Sequence, residues 1–253
     1  MLRFPRPRLS VLSYSGRLTA YMRRILETEG ADLLAYWPLA EAAGAVAHNL
    51  EGTVARDAAY TGVTLGEPGI GDGATCPWWD SANDFCNIYS ASLAANFDGN
   101  EGTIFWWMKV TDAGVWADGR VRKLFLLACG ASTNDDFVMC QKTGASGRLD
   151  FLYGPGVSYK IITADGITDT GWIPCAMTFT HEGSDLYKAY MYGEALAPTH
   201  SSLNNWTMSL VDGRCEIGAG ANPPYQVWDG WLAHVAIWNK ALSDAQIVAL
   251  STV

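Results

Sequence analysis

Residues 103–110 read Thr-Ile-Phe-Trp-Trp-Met-Lys-Val. Successive side chains of a β-strand point to opposite faces of the sheet. Here the two faces carry Ile104, Trp106 and Met108 on one side, and Phe105 and Trp107 on the other. Aromatic and β-branched residues are favoured in strands. The stretch therefore predicts a central strand that is covered on both sides.

Further short strands are predicted on both sides of this one. They are residues 33–39, 84–89, 123–129, 136–142, 148–153, 160–164, 172–180, 187–192, 214–217 and 230–239. Glycine, proline, asparagine and aspartate separate them, as is typical of turns. Regular short strands indicate an all-β sandwich or barrel, and 253 residues are within the range of one such domain.

The amino-terminal segment differs from the rest. Its first 24 residues contain no acid and six arginines: Arg3, Arg6, Arg8, Arg17, Arg23 and Arg24. An amphipathic helix is predicted from Ser15 to about Glu29, ended by Gly30. We divide the chain into a basic arm with this helix, residues 1–30, and a sandwich, residues 31–253. The helix is expected to pack on the sandwich or on a neighbouring subunit. The arginines are expected either to dock on an acidic partner or to form a solvated terminus.

The chain carries a net charge of −9 despite this basic arm, so its body is acidic. An acidic body repels nucleic acid and anionic lipid, which argues against both as partners. No stretch is apolar for long enough to cross a bilayer. The apolar run 9–12 is too short for a signal peptide, so we predict neither membrane insertion nor Sec-type export.

The six cysteines form no Cys-x-x-Cys pair, which disfavours a metal cluster. Buried free thiols are favoured because no signal peptide is predicted. Cys129 and Cys140 flank a predicted hairpin and are the best candidates for a disulfide.

Several stretches together resemble the laminin-G-like jelly-roll family of the concanavalin A-like superfamily. They are residues 35–41 (AYWPLAE), 103–109 (TIFWWMK), the hairpin 172–194, and the closing stretches 217–218, 228–232 (WDGWL) and 237–243 (IWNKALS). The resemblance extends from about residue 33 to the end. It implies a jelly-roll sandwich of two antiparallel sheets, and it does not by itself imply a function.

The amino-terminal arrangement, a helix followed by the Tyr-Trp-Pro-Leu strand, resembles jelly-roll proteins encoded among bacteriophage structural genes. This resemblance implies a tail or head-decoration component on a virion or other particle surface, assembled in the host cytoplasm. Its partners would be other virion proteins or copies of itself in a homo-oligomer.

Paired catalytic carboxylates are not found in the sequence. Glycosidases of this superfamily carry Glu-x-Asp-x-x-Glu or Glu-x-Asp-x-Glu on one strand, which places an acid and a nucleophile on the same face. Asp135 and Asp136 are adjacent and would face opposite ways, while Glu182 and Asp185 flank a glycine turn. We interpret all four as solvated turn acids, and we expect no catalytic residues and no enzymatic activity.

A sugar site would need exposed aromatic rings beside polar side chains, because the C–H faces of a pyranose stack on such rings. The loop candidates are Trp116, Trp206, Tyr225 and Trp228. Packing beneath its own loop is the competing interpretation for each ring.

Many relatives bind calcium through carboxylates and loop carbonyls. The acids in the nearest positions are Glu41, Asp98 and Asp229. The closing strand carries Ala233 where the family often has aspartate, so turn acids without metal are favoured, and no other cofactor is expected.

Three functions are therefore considered. The first is a non-enzymatic virion structural protein that uses a lectin-like sandwich for assembly or adhesion, which includes binding to cell-surface glycans. The alternative is a soluble or secreted carbohydrate-binding module. A glycoside hydrolase or polysaccharide lyase ranks third.

Overall fold

The computed structural model describes residues 18–132, 134–156, 158–181 and 185–253. Its strands are β1 (Leu33–Trp37), β2 (Val46–Ala47), β3 (Ala58–Thr61), β4 (Thr64–Pro68), β5 (Thr75–Asp80), β6 (Phe85–Asn87), β7 (Glu101–Val110), β8 (Arg122–Ala128), β9 (Phe137–Thr143), β10 (Arg148–Gly154), β11 (Lys160–Ala164), β12 (Ile173–Thr180), β13 (Leu186–Met191), β14 (Glu194–Ala195), β15 (Cys215–Ile217) and β16 (Asp229–Trp238). Its helices are α1 (Ala20–Glu27), α2 (Ala91–Asn96), α3 (Gly114–Ala117) and α4 (Asp244–Leu250), with a 3-10 turn at Val54–Arg56. Within these residues, no helix is long and apolar enough to span a bilayer.

The strands form two antiparallel sheets of eight strands each. Sheet A follows the order β14-β13-β12-β7-β16-β5-β4, and β1 also pairs with β16. Sheet B follows the order β11-β10-β9-β8-β15-β6-β3-β2. The predicted all-β sandwich of two antiparallel sheets is confirmed.

The stretch at 103–110 lies in β7, between β12 and β16 of sheet A. On its inner face, Trp106 meets Phe125 of β8 edge-on, with ring centroids 4.7 Å apart. On its outer face, Phe105 and Trp107 belong to a second apolar cluster. Both faces are buried, as the sequence predicts for a central strand.

Helix α1 supplies the cover for the outer face of sheet A. Its Tyr21, Met22 and Ile25 are buried in the same cluster as Phe105 and Trp107. The Thr19 hydroxyl accepts a hydrogen bond from the Met22 amide at 3.1 Å, so the helix begins at Ala20 rather than at the predicted Ser15. The helix packs on the sandwich, which is one of the two expected arrangements.

The arginines of the amino-terminal arm fall into two groups. Arg24 donates hydrogen bonds to the carbonyls of Ala249 and Thr252, so it joins α1 to the end of the chain rather than standing free for a partner. Arg23 is exposed. The remaining four lie outside the described residues: Arg3, Arg6, Arg8 and Arg17. All six cysteines are buried free thiols, so the candidate Cys129–Cys140 disulfide is not formed.

A buried polar cluster ties α1 to sheet A. His234 contacts the Tyr36 hydroxyl through Nδ1 at 2.7 Å and Asp72 through Nε2 at 3.5 Å. The Thr19 hydroxyl donates to Asp72 at 2.8 Å. Burial alone would raise the pKa of Asp72, but hydrogen bonds from His234, the Ala74 amide and Thr19 prevail and lower this pKa to about 2. The carboxylate therefore links the N-cap of α1 to the sheet.

We expect Asp72→Asn to weaken the attachment of α1 to sheet A. Asparagine has no negative charge, so it cannot replace the carboxylate that Thr19 and His234 contact. The cost should be about 1–2 kcal/mol in the free energy of unfolding. Limited trypsin digestion followed by mass spectrometry should show faster cleavage after Arg23 and Arg24. Asp32→Asn is the control, since Asp32 has a long 3.9 Å ion pair to Lys240. Equal cleavage of Asp72→Asn and wild type would contradict this role.

Candidate functional site

The outer face of sheet B carries a row of side chains set by strand register. Asn87 of β6 lies opposite Glu216 of β15, Glu216 lies opposite Leu126 of β8, and Leu126 lies opposite Met139 of β9. An apolar patch on this face, separate from the core, consists of Leu126, Ala128, Phe137 and Leu152 with Met139 and Ile161. This face therefore carries a largely buried apolar cluster beside a buried carboxyl group.

Two hollows share one lining residue, Tyr225. The first has a volume of about 130 Å³ and is lined by Lys123, Leu126, Ala128, Gly130, Ala131, Ser132, Phe137, Met139, Arg214 and Tyr225. The second has a volume of about 390 Å³ and is lined by Ser81, Ala82, Arg120, Val121, Arg122, Tyr225, Gln226 and Val227. Tyr225 lines both, and we call the two hollows together the Tyr225 site.

Tyr225 is 44% exposed and lies between β15 and β16. The Gly220 amide donates to the Tyr225 carbonyl at 2.9 Å, and a Cβ at Gly220 would lie only 2.8 Å from the tyrosine ring. Glycine at this position therefore lets the ring lie close against the chain. The Lys123 amide donates to the Gln226 carbonyl at 2.7 Å and fastens the next residue to β8. The ring is thus anchored while part of it stays in solvent.

Lys123 is a nearly buried amine beside this ring, only 6% exposed. Its Nζ donates to Gln141 Oε1 at 3.1 Å and contacts Met139 Sδ at 2.9 Å. Burial lowers the pKa of Lys123 to about 8, and the nearby Arg214 guanidinium contributes in the same direction. At neutral pH the group is therefore mostly a partly desolvated ammonium ion.

Glu216 is fully buried, and within the described part of the chain neither carboxyl oxygen has a hydrogen-bond partner. Burial, followed by the charge of Asp212, raises the pKa of Glu216 to about 8. Asp212 accepts a hydrogen bond from Asn87 Nδ2 at 3.2 Å. Near pH 7, Glu216 is therefore mainly protonated and uncharged.

A buried ion cluster supports the second hollow. Arg122, which lines the hollow, pairs with Asp118 at 2.7 Å and Asp229 at 3.2 Å. Lys142 is fully buried and reaches Asp118 at 2.5 Å. Burial opposes the charge of Asp118, but hydrogen bonds from Lys142, the Arg120 amide and Arg122 prevail and lower its pKa to about 2. The position of Arg122 thus depends on Asp118.

Three of the four predicted aromatic platforms are corrected by the structure. Trp116 and Trp228 are buried and meet edge-on, with ring centroids 6.5 Å apart. Trp206 is buried against Phe97, 5.4 Å between centroids. None of the three offers a free ring face for stacking, so Tyr225 is the exposed member of the set.

The three acids considered for calcium do not come together. Glu41 accepts a hydrogen bond from the Tyr60 hydroxyl at 2.8 Å, Asp98 from the amide of Asn100 at 2.9 Å, and Asp229 pairs with Arg122. Across the described ranges, no three His, Cys, Asp or Glu side chains gather in a way that would hold a metal ion.

The interpretation of Asp136 as a solvated turn acid is also wrong. Asp136 is fully buried and accepts hydrogen bonds from the amides of Thr207 and Met208 at 2.6 and 2.7 Å. It therefore holds the segment that contains Trp206 against the sandwich.

Comparison with known proteins decides the family. The model of the concanavalin A-like lectin/glucanases superfamily matches residues 80–248. The chain belongs to this superfamily. A search of the curated proteins finds no sequence that matches it.

Solved structures share the fold of this superfamily member at low sequence identity. A Trypanosoma rangeli sialidase in complex with the inhibitor DANA is 12% identical, with a TM-score of 0.60 over 87% of this chain. The chain spans only 32% of that sialidase. Domain 4 of AbnA, a GH43 extracellular arabinanase from Geobacillus stearothermophilus in complex with arabinotriose, is 13% identical. Its TM-score is 0.56, over 87% of this chain and 98% of the domain.

These comparisons overturn the virion structural role as the main function. The similar structures include a sialidase and a domain of an extracellular arabinanase. The carbohydrate-binding alternative fits them better.

Sequence reasoning missed Lys123 and Glu216 as site residues. Each has a signal in the sequence, a charged residue within a strand that also carries buried apolar residues. Glu216 lies between Cys215 and Ile217, and the period of two places it on the opposite face.

Proposed function

We propose that this protein is a carbohydrate-binding module that holds a saccharide against Tyr225 on the outer side of sheet B. The observation that carries the proposal is the anchored, 44% exposed Tyr225 ring between two hollows. A sugar ring stacks its C–H face on such an aromatic ring, while neighbouring polar groups orient its hydroxyls. Lys123, Arg214 and Gln226 provide such groups.

Binding is favoured over hydrolysis by the chemistry of the lining. A retaining glycosidase needs two carboxyl groups about 5 Å apart, and an inverting one needs them about 6.5–9.5 Å apart. The described residues that line the two hollows include no carboxylate. Glu216 lies on the same face, but its oxygens are buried. These facts support a site that recognises sugar without cleaving it.

The comparison with AbnA adds weight to a binding module. The chain aligns with 98% of a domain that was solved with arabinotriose, although the likeness in itself establishes the fold alone. A module of this size would recognise a few sugar units at the Tyr225 site.

We expect Tyr225→Ala to weaken binding of the saccharide at least tenfold, because the stacking surface is removed. A panel of soluble glycans identifies the ligand, and isothermal titration calorimetry then compares the variants. Stability should be nearly unchanged, since the ring is partly exposed. Tyr192→Ala is the matched control, because Tyr192 is 48% exposed and lines neither hollow.

Two results would count against the proposal. Absence of any glycan ligand for the wild-type protein would refute the function. Unchanged affinity of Tyr225→Ala for a confirmed ligand would refute the site.

A further inference from the structure

We propose that the saccharide bound at the Tyr225 site is anionic, with a carboxylate or sulfate group held by Lys123 and Arg214. This inference rests on the proposed carbohydrate-binding function and names the class of ligand.

The charge of the site is opposite to that of the chain. The protein has a net charge of −9, yet the charged side chains that line the two hollows are all cations: Lys123, Arg214, Arg120 and Arg122. Clustered like charges repel one another and are unfavourable unless a counter-charge is present. A ligand with negative charge would supply it.

The two cations of the first hollow lack such a counter-charge within the chain. Arg122 of the second hollow is neutralised by Asp118 and Asp229. Lys123 and Arg214 form no ion pair with any described residue. Both line the first hollow, so an anion seated there can contact the two groups together.

Lys123 gives the stronger argument of the two. An ammonium group has three N–H donors, whereas Lys123 has the side-chain Oε1 of Gln141 and the weak acceptor sulfur of Met139 as partners. A nearly buried cation with so few acceptors is costly, and an anionic ligand would satisfy it. Burial, and after it the charge of Arg214, lowers the pKa of this amine.

Two acids in the segments that flank the hollow, Asp135 and Asp212, are already engaged, and a third, Glu216, is buried and mainly protonated near pH 7. Asp135 accepts a hydrogen bond from the Ser132 amide at 2.7 Å. Asp212 accepts hydrogen bonds from Asn87 and from the Gly213 amide. None of the three lines the hollow.

The test uses the full chain and one oligosaccharide backbone in two charge states. Oligogalacturonides with free carboxylates are compared with their methyl esters by isothermal titration calorimetry, with sulfated oligosaccharides of similar length as a third arm. We expect at least one anionic ligand to bind tenfold or more tightly than the methyl ester. Raising NaCl from 50 to 500 mM should weaken anionic binding alone.

The variants Lys123→Met and Arg214→Gln should each lower the affinity for the anionic ligand about tenfold and change that for the methyl ester less than twofold. Lys160→Gln, on the edge strand of the same sheet, is the matched control. Arg214 is partly exposed, so Arg214→Gln keeps the test valid if Lys123→Met does not fold.

The outcomes separate this inference from the proposed function. Tyr225-dependent binding that is equally strong for neutral and charged ligands, and insensitive to salt, would overturn the anionic class while the binding function stands. Absence of binding to every glycan would overturn both.

Discussion

Replacing Glu216 with glutamine should make the protein markedly more stable than wild type at alkaline pH. The Glu216 side chain is fully buried without a hydrogen-bond partner among the described residues, and burial raises its pKa to about 8. The unfolded chain has the ordinary value near 4.5. At a pH between these two pKa values, Glu216 is protonated in the folded protein and ionised in the unfolded chain.

The sign of the effect follows from this difference. A raised carboxyl pKa stabilises the fold fully below about pH 4.5, and that stabilisation is lost as the pH rises to about 8. A difference of this size corresponds to about 5 kcal/mol at pH values above 8. Glutamine carries no charge at any pH, so Glu216→Gln should lack this loss.

Thermal unfolding from pH 4 to 9 measures the effect. The melting temperatures of wild type and Glu216→Gln should be similar near pH 5 and differ by about 10 °C at pH 9. Glu194→Gln, an exposed replacement on β14, should follow the wild-type curve. Parallel curves for Glu216→Gln and wild type over the whole pH range would show that Glu216 ionises normally.

The strands could be predicted from the sequence because their signal is local. The period of two in residues 103–110 predicted a central strand, and β7 has both faces buried. The amphipathic pattern likewise predicted a helix in the region of α1, which buries Tyr21, Met22 and Ile25, although the helix begins later, after the Thr19 cap.

The site could not be predicted in the same way, because it depends on contacts between distant parts of the chain. Glu216, Leu126 and Asn87 are neighbours only through strand register. A loop position also does not determine burial. Trp206 is covered because its segment is held by Asp136, 70 residues earlier. Tyr225 stays exposed although it follows a similar turn-rich stretch.

The ion cluster beneath the second hollow leads to the other large effect, in the variant Asp118→Ala. Lys142 is fully buried, and its Nζ has Asp118 at 2.5 Å and the Arg120 carbonyl at 3.1 Å. Removing the carboxylate leaves a buried ammonium without a counter-charge, which should cost about 3–5 kcal/mol in the free energy of unfolding. Urea unfolding at pH 7 measures this loss, and the exposed replacement Asp165→Ala should stay within about 0.5 kcal/mol of wild type.

The double variant Asp118→Ala/Lys142→Met tests whether the uncompensated charge is the cause. Methionine fills much of the lysine volume without a charge, so the double variant should recover at least half of the stability lost in Asp118→Ala. Strictly additive losses would instead assign the effect to packing.

The low pKa of Asp118, about 2, means that the cluster keeps its stabilising effect above about pH 4 and loses it as the pH falls toward 2. Since Glu216 destabilises the fold as the pH rises above about 4.5, the two carboxyl groups together should place maximal stability at acidic pH, near 4.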